Sequence, residues 1–549
     1  MHIDLKGAAP ASLRADVCVI GAGAAGITMA RRLIGHGLSV LLIESGGLDH
    51  EAETARLNEG EIVGQDYYPL DQARLRFFGG TTAIWGGRCA ELDPIDFARR
   101  SWVPHSGWPI GPEDIAPYYA EARAALGLPA APPRAEALAA SGVPLPAFDP
   151  DRVRTALWSF DERFGRFTAE SCRDLFEHPR CTIVTHATVR EIVALPSASA
   201  IDHLDIATPG GRQLKARGQA YVLAAGGIEN PRLLLASRSM VPAGLGNGHD
   251  LVGRFFMEHP HARGGRIVDG AAWTLLRAFG RKHRLGAATV AALLRPGEAA
   301  QERLGLLNTS LTIAGRRPTT LNESIGMRAY QKLKHDMAPT RGGRALWMRT
   351  KMLTHAVLSV TEPARPWLLN RLGRLDVALV VRAEQAPNSE SRVTLSRDET
   401  DAAGVPRARL DWRTSPLDVD SVAGLVSLLG AELQRLGLGR VEAAPWLSDP
   451  ARAWRTDALI SAHPIGGYHH IGTTRMAADP RRGVTDGEGR VHGIANLYVA
   501  GSSLFPTSGW ANPTLSIVAL AMRTGDCLHQ ALTRWQRPLI ATEPMRRAG

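Results

Sequence analysis

The sequence predicts an α/β protein: a Rossmann-like dinucleotide-binding domain built from separated stretches of chain, with an inserted α+β domain. Three observations predict it. An apolar run of strand length meets a Gly-rich turn and a helix-like run near the start; a second strand-Gly-Gly-helix unit occupies Ala220 to Leu235; and between Gly264 and Ser461 the texture changes to longer loops and scattered prolines.

Asp16-Val17-Cys18-Val19-Ile20 is the first strand, Gly21-Ala22-Gly23-Ala24-Ala25-Gly26 the turn, and Ile27 to Leu33 the helix. Gly21 permits the tight turn, Gly23 lets backbone approach a pyrophosphate, and Gly26 lets helix pack on strand, while the free N–H groups of the helix N-terminus face the phosphate charge. A second strand, Leu38 to Ile43, ends at Glu44-Ser45. A carboxylate at that place, roughly 20 residues past the glycines, accepts hydrogen bonds from a ribose diol and repels a 2′-phosphate, which favours FAD or NAD over NADP. The glycines alone are a weak signal; strand, helix and Glu44 in register make a strong one.

Thr182 to Val193 alternates as a strand pair would, and Leu204 to Ala216 continues it around Pro209-Gly210-Gly211. The buried strand Ala220 to Gly227 then runs into a helix, Asn230 to Leu235, and can close over the same cofactor. A hairpin-like set, Val377 to Glu384, Arg392 to Leu395 and Arg407 to Trp412, suits a second domain lying over the active face. The expected division is 11–92, 160–263 and 463–549 for the nucleotide domain and 93–159 and 264–462 for the substrate domain.

At 549 residues, 44% hydrophobic and 21% charged, the chain can bury a large core in more than one domain. No apolar run reaches the roughly 18 to 20 residues that span a bilayer, and the N-terminus lacks a signal-type stretch, so a cytoplasmic protein is expected. Cys18, Cys89, Cys172, Cys181 and Cys527 show no metal-ligand spacing and read as reduced, mostly buried thiols. The net charge of +10 is scattered Arg rather than a basic run interleaved with aromatics, which argues against a nucleic-acid partner. The densest basic segment, Arg341 to Arg374, is of a kind that can rest on a membrane, cover a pocket or form a subunit contact; the reading adopted is a half-buried helix without membrane contact.

The Gly-rich fingerprint, Phe78-Gly79-Gly80-Thr81-Thr82-Ala83-Ile84-Trp85-Gly86-Gly87, the Val222 to Leu235 unit and the C-terminal run Tyr468-His469-His470-Ile471-Gly472 through Asn512-Pro513 together resemble the glucose-methanol-choline (GMC) family of FAD oxidoreductases. The likeness covers nearly the whole chain, and Gly501 to Thr514 is similar to the sugar-oxidising branch of pyranose oxidases and fructose, gluconate and glucoside dehydrogenases. It implies FAD, with contacts from Gly21, Gly23, Ala24, Ala25, Gly26, Glu44 and Ser45. It adds Gly80, Thr81, Thr82, Trp85 and Gly86 of the loop, the Val189 backbone at the adenine, and Ala225, Gly226, Gly501, Ser502, Asn512, Pro513 and Thr514. Two departures matter. Ile84 stands where pyranose oxidases carry a histidine bonded to the flavin, so the flavin is expected to be non-covalent; Trp85 and Gly501 stand where many members carry asparagine and aspartate.

Oxidising an alcohol needs a base within hydrogen-bond reach of the hydroxyl and over the flavin. Imidazole, with an ordinary pKa of about 6.5, suits that task. The family pattern selects His469; His470 then points elsewhere, because neighbours on an extended chain take opposite faces, although it stays a pocket candidate. His463, His259 and His261 read as structural. Asn512 cannot be a base, so it is expected to hold the substrate oxygen against His469. Pro513 opens a helix from Thr514, whose N-terminus would face the flavin edge that gains negative charge on reduction.

Pocket walls are expected from Arg382, Glu384 and Gln385, with Trp510 or Trp85 as an aromatic platform. The expected reaction is oxidation of a secondary hydroxyl of a sugar or glycoside, with oxygen or a quinone or other carrier as electron acceptor. A non-sugar alcohol such as a natural-product intermediate, a hydroxynitrile-lyase-type reaction, and a non-catalytic flavoprotein are the alternatives; an oligomer is left open.

Overall fold

The computed structural model describes residues 1–7, 10, 12–163, 165–318, 340–461 and 463–536. Its centre is a six-stranded, wholly parallel sheet in the order His2–Asp4, Cys181–Thr185, Val40–Ile43, Val17–Ile20, Ala220–Leu223, Leu497–Val499. Val17–Ile20, Val40–Ile43 and Ala220–Leu223 are buried at every position, which is why they read as unbroken apolar runs rather than as alternation. Helix Ala24–Gly35 follows the first of these strands and packs on the C-terminal helix Thr514–Gln536.

Two glycines hold that junction for steric reasons. At Gly21, with φ of +102°, a Cβ would lie 2.7 Å from the Ala224 carbonyl oxygen, and at Gly26 it would lie 1.9 Å from the Gly21 carbonyl oxygen. Neither position has room for a side chain.

The run at 182–193 holds two strands that do not pair with each other. Cys181–Thr185 belongs to the parallel sheet, whereas Thr188–Ala194 enters a four-stranded sheet with Ile201–Ala207, Gln213–Arg217 and Leu13–Arg14. The cause is His186, which turns the chain at a φ of 53° and is held by Asp4 at 2.6 Å and Glu51 at 3.0 Å.

An eight-stranded sheet lies against this assembly. Its path is Arg440–Ala443, His261–Val268, Asp376–Arg382, Ser310–Arg316, Ala288–Pro296, Val153–Phe160 and Arg88–Cys89, with His283–Leu285 paired to Ala288–Pro296. One face is covered by helix Pro416–Arg435: Val377, Leu379, Val381 and Leu157 share a core with Val422, Val426 and Leu429. Trp158 and Phe160, on the opposite face, join the core built around the parallel sheet.

Of the hairpin-like set at 377–412, only Arg392–Thr400 and Pro406–Asp411 pair with each other, and Gly60–Ile62 adds to them in parallel. Asp376–Arg382 is instead an inner strand of the eight-stranded sheet. Its apolar face had helix Pro416–Arg435 to cover it, and its ladder had partners on both edges.

The basic segment forms helices Arg341–Thr361 and Ala364–Arg371. Arg344 bonds Asp49 at 2.8 Å and lies over Phe77, while Leu346, Met352 and Leu353 are exposed. Met348 reaches a cleft of about 740 Å³ that Thr28, Phe167 and Met522 also line. Among the described residues no helix is long and apolar enough to cross a membrane. Four cysteines are buried, Cys527 is half-buried, and none forms a disulfide. Burial lifts the Cys18 thiol to about 12 and those of Cys172 and Cys181 to about 11.

Candidate active site

The C-terminal ends of the parallel strands converge on a floor of bare backbone. A Cβ at Gly23, Gly86 or Gly226 would meet nothing within 4 Å, and one at Gly501 only the Ala25 Cβ at 4.0 Å. Gly80 stands across from Gly23, its Cβ position 3.7 Å from the Gly23 Cα. Open space above glycines at a helix N-terminus fits an extended dinucleotide with its pyrophosphate over Gly23. The Trp85 indole N–H, buried and without an acceptor among the described residues, fits the same cavity.

The other sequence-predicted cofactor residues surround this floor with most polar groups already engaged. Glu44 Oε2 accepts from the Ala22 N–H at 3.0 Å and Oε1 from the Gly46 N–H at 2.9 Å, which aims the carboxylate and leaves lone pairs for a diol. Ser45 Oγ bonds Thr188 Oγ1 at 2.8 Å, and Val189 follows on the same strand. Thr81 Oγ1 accepts from the Leu75 N–H and Thr82 Oγ1 donates to the Gly79 carbonyl, so both hydroxyls shape the loop. Ala225 N–H donates to Asn230 Oδ1, and Ser502 Oγ donates to the His470 carbonyl, locking two loops under the cofactor space. Ile84 is exposed at the rim. Pro513 accepts from the Ile517 N–H, starting the helix that Thr514 opens.

His469 and Asn512 meet at the edge of this floor. Asn512 Nδ2 lies 3.2 Å from His469 Nε2, and His469 Nδ1 lies 2.7 Å from His259 Nδ1. The far nitrogen of His259, Nε2, is 2.8 Å from the Gly509 carbonyl oxygen. A carbonyl only accepts, so His259 Nε2 carries hydrogen; a neutral His259 then offers a bare Nδ1, which takes the hydrogen of His469 Nδ1. His469 Nε2 is thereby left bare and faces Asn512. Burial first, then the neighbouring His259, His261, His470 and Arg88, hold the His469 imidazolium well below its ordinary pKa, so the ring is neutral. Burial lowers His259 as well.

The sequence suggests a structural role for His259; in the structure it is the direct hydrogen-bond partner of His469. The signal available was the Glu258-His259 pair, but nothing local places it beside a residue so distant in the chain.

Glu258 organises the backbone around His469. Its buried carboxylate accepts from the N–H groups of His259 at 2.8 Å, Gly467 at 3.1 Å and His469 at 2.8 Å, and from the Tyr67 hydroxyl at 2.6 Å. The Gly467 and His469 amides flank Tyr468, whose φ of +61° is costly for a bulky residue and is held by this shared acceptor. Burial pushes Glu258 up to about 7 against the pull of those donors.

His470 turns the other way, as the extended-chain argument expects. Its Nε2 donates at 3.1 Å to the Tyr67 hydroxyl, which itself donates to Glu258. It stacks near Phe256 rather than opening on the Asn512 side, and burial holds it down to about 3.

Of the expected pocket walls, Glu384 and Gln385 are committed elsewhere. The strand ends at Arg382, and beyond it Glu384 is locked to Arg100 in a two-pronged pair at 2.6 and 2.9 Å while also accepting from the Asn308 N–H. Gln385 accepts from the Glu258 N–H and the Trp412 indole and donates to the Arg413 carbonyl. Neither has a free polar edge; both serve the frame. Trp510 donates its indole N–H to Asp93 at 2.6 Å and meets the edge of Trp158 at 6.1 Å. Arg382 alone of the three points its head at an aromatic, with Cζ 5.4 Å from the Trp158 centroid. No group of acidic, cysteine or histidine side chains among the described residues is arranged to hold a metal.

Comparison with known proteins bears on this geometry. Residues 16–244 match the model described as FAD dependent oxidoreductase, and residues 387–521 match GMC oxidoreductase. The chain is 27% identical to paromamine 6'-oxidase of Streptomyces fradiae, over 93% of this chain and 91% of that protein. It is 23% identical to the large subunit of fructose dehydrogenase from Gluconobacter japonicus, over 94% and 98%. A structure of formate oxidase from Aspergillus oryzae superposes with a TM-score of 0.54 at 16% identity, over 96% of this chain and all of that one, which shows the shared fold. The chain thus combines a FAD-dependent oxidoreductase domain with a GMC oxidoreductase C-terminal domain, and is an FAD-dependent oxidoreductase acting on alcohol donors.

Proposed function

We propose that this enzyme oxidises a secondary hydroxyl of a sugar-like alcohol to a carbonyl, with His469 as general base and Asn512 as the group that orients the substrate oxygen. The observation that supports this most is the ordered chain Gly509 carbonyl, His259, His469, Asn512, which leaves one bare imidazole nitrogen facing one amide donor. The relatives named above include enzymes whose names place them on sugars, which supports the substrate class.

FAD, when bound, supplies the hydride acceptor. His469 Nε2 takes the hydroxyl proton as the carbinol C–H bond breaks and the C=O bond forms. Asn512 turns its amide hydrogen from His469 to the substrate oxygen and keeps that oxygen's proton aimed at the bare nitrogen. Once protonated, His469 retains its Nδ1–H bond to His259, so no partner has to reorganise. Glu258, fixed to the backbone on both sides of Tyr468, keeps the ring from swinging away. The glycine floor at Gly23, Gly80, Gly226 and Gly501 holds the cofactor without a covalent bond, Ile84 having no atom with which to make one. The division of the chain at 93, 160, 264 and 463 belongs to this reading, with strand His261–Val268 running across the third of these boundaries.

The test is anaerobic bleaching of the yellow holoenzyme by a panel of sugars, glycosides and simple alcohols, followed by peroxide release in air to separate oxidase from dehydrogenase. His469→Ala should keep the yellow colour and lose the bleaching. Unchanged bleaching in that variant removes His469 as the base.

A further inference from the structure

Arg88 and Arg382 make no ion pair and no side-chain hydrogen bond among the described residues; Arg88 Nε and Arg382 Nη1 are buried donors without acceptors. Both stand on the face of the eight-stranded sheet opposite helix Pro416–Arg435. Arg382 is directly across the antiparallel ladder from His261, so their side chains share a face. Arg88 is directly across from Phe160, and Trp158 follows on that face two residues away. The other face is already filled by Val377, Leu379, Val381 and Leu157.

The two guanidinium groups flank one indole. Arg88 Cζ is 5.3 Å and Arg382 Cζ 5.4 Å from the Trp158 centroid, and the edge of Trp158 touches Trp510, two residues before Asn512. The Lys282 ammonium, 3.7 Å from the Phe160 centroid, adds positive charge to the same wall. Burial first, then Arg88 and Arg316, drive the Arg382 guanidinium well below its ordinary pKa, and burial lowers Arg88. His261, held down to about 3, feels burial first and then Arg382; the field of Arg88 also reaches His469. The acids of this half are engaged: Glu384 by Arg100, Asp93 by Arg295 and Trp510, and Asp96 by Asn308.

Desolvated cations without a counterion are costly, and an indole face offsets only part of that cost. A planar guanidinium fork presents paired donors that match a carboxylate or phosphate. Resting on the alcohol-oxidising reading above, we propose that Arg88 and Arg382 form an anion subsite beside His469 and Asn512, and that the preferred substrate is an alcohol bearing a carboxylate or phosphate, such as a sugar acid, rather than a neutral or amino sugar.

The experiment uses the FAD-loaded enzyme. Anaerobic bleaching is followed with matched neutral sugar, sugar acid, sugar phosphate and amino sugar, and flavin difference spectra are titrated with acetate and with inorganic phosphate, neither of which can be oxidised here. The acid or the phosphate should exceed its neutral counterpart in kcat/KM by tenfold or more, and whichever of acetate or phosphate binds tighter identifies the anion. Arg88→Gln and Arg382→Gln should each reduce that preference at least tenfold through KM and weaken the anion titration to match, with Arg382→Lys recovering part of it. FAD content and circular dichroism confirm that the variants are folded. Parity between neutral and anionic substrates, or an anion preference untouched in both Gln variants, overturns the subsite. Bleaching by no alcohol of any charge overturns the alcohol reading instead, and the acetate and phosphate titrations then decide the subsite separately.

Discussion

Arg100 and Arg382 reach the same half of the molecule and meet opposite fates. Arg100 finds the Glu384 carboxylate in a two-pronged pair, with the side chains 1% and 0% exposed, and although burial opposes its charge, Glu384 lifts it above the ordinary guanidinium range. Arg382 finds an indole face and two further cations, so burial and then those cations oppose its charge with no acid to answer it. A buried charge that the fold satisfies belongs to the frame, whereas one that the fold leaves unanswered marks where something from outside completes the structure. Between the two lies a third solution, the neutral imidazole chain of His259 and His469, where burial removes charge so that one nitrogen stays free to receive it.

The sharpest way to break this contrast is to remove one partner of the satisfied pair. Glu384→Ala leaves Arg100 buried without its acid and should cost about 3–5 kcal/mol in urea unfolding of the holoenzyme. A loss under about 1 kcal/mol, the range of an exposed pair, would show that the pair is not part of the frame.

The neutral chain is probed next. His259→Phe keeps an aromatic ring but frees His469 Nδ1, so His469 populates the other tautomer; on the proposed reading turnover should fall roughly ten- to a hundredfold, about 1.4–2.7 kcal/mol, with FAD retained. A kcat unchanged in His259→Phe would detach the tautomer from the rate.

Acid tests the neighbouring buried imidazoles through stability. His261 and His470 are held to about 3 in the fold, against about 6.5 in an unfolded chain. Their folded pKa values are depressed, so as pH falls below about 6.5 the unfolded chain binds protons that the fold refuses. Stability is therefore lost between pH 6.5 and 3, at up to about 1.4 kcal/mol per ring per pH unit. His470→Gln should flatten the decline in urea midpoints measured at pH 7, 6 and 5; an equal slope in wild type and variant removes His470 as a contributor.

The smallest effect separates the two arginines most cleanly. Arg382→Met without substrate should leave the urea midpoint unchanged or slightly raised, within about 1 kcal/mol, because it deletes an uncompensated charge and keeps the stem volume. A loss comparable to that of Glu384→Ala would place Arg382 in the frame with Arg100.

Much of the nucleotide half was legible because its signals are local. The spacing of Gly21, Gly23 and Gly26 sits within one turn, where a Cβ at Gly26 would strike the Gly21 carbonyl, and Val17–Ile20 and Val40–Ile43 show their burial on both faces as unbroken apolar runs. The opposite pointing of His469 and His470 also follows from neighbours on one extended stretch. What stayed hidden depends on distant partners. His259 looks like any buried histidine until the chain brings it to His469, and Glu384 looks like a pocket wall until Arg100 arrives from 284 residues away in the chain. The strands at 182–193 misled for the same reason, since alternation says that a face is half-buried but not which sheet the strand enters.

The Gly509 carbonyl, one residue from Trp510 and three from Asn512, has a consequence beyond holding His259 in place. It is an interlock: rotate that one peptide and His259 is free to carry its hydrogen on either nitrogen, so His469 loses the instruction that empties its outward nitrogen. The tautomer of His469 is in this way tied to the posture of a main-chain segment that also carries Trp510.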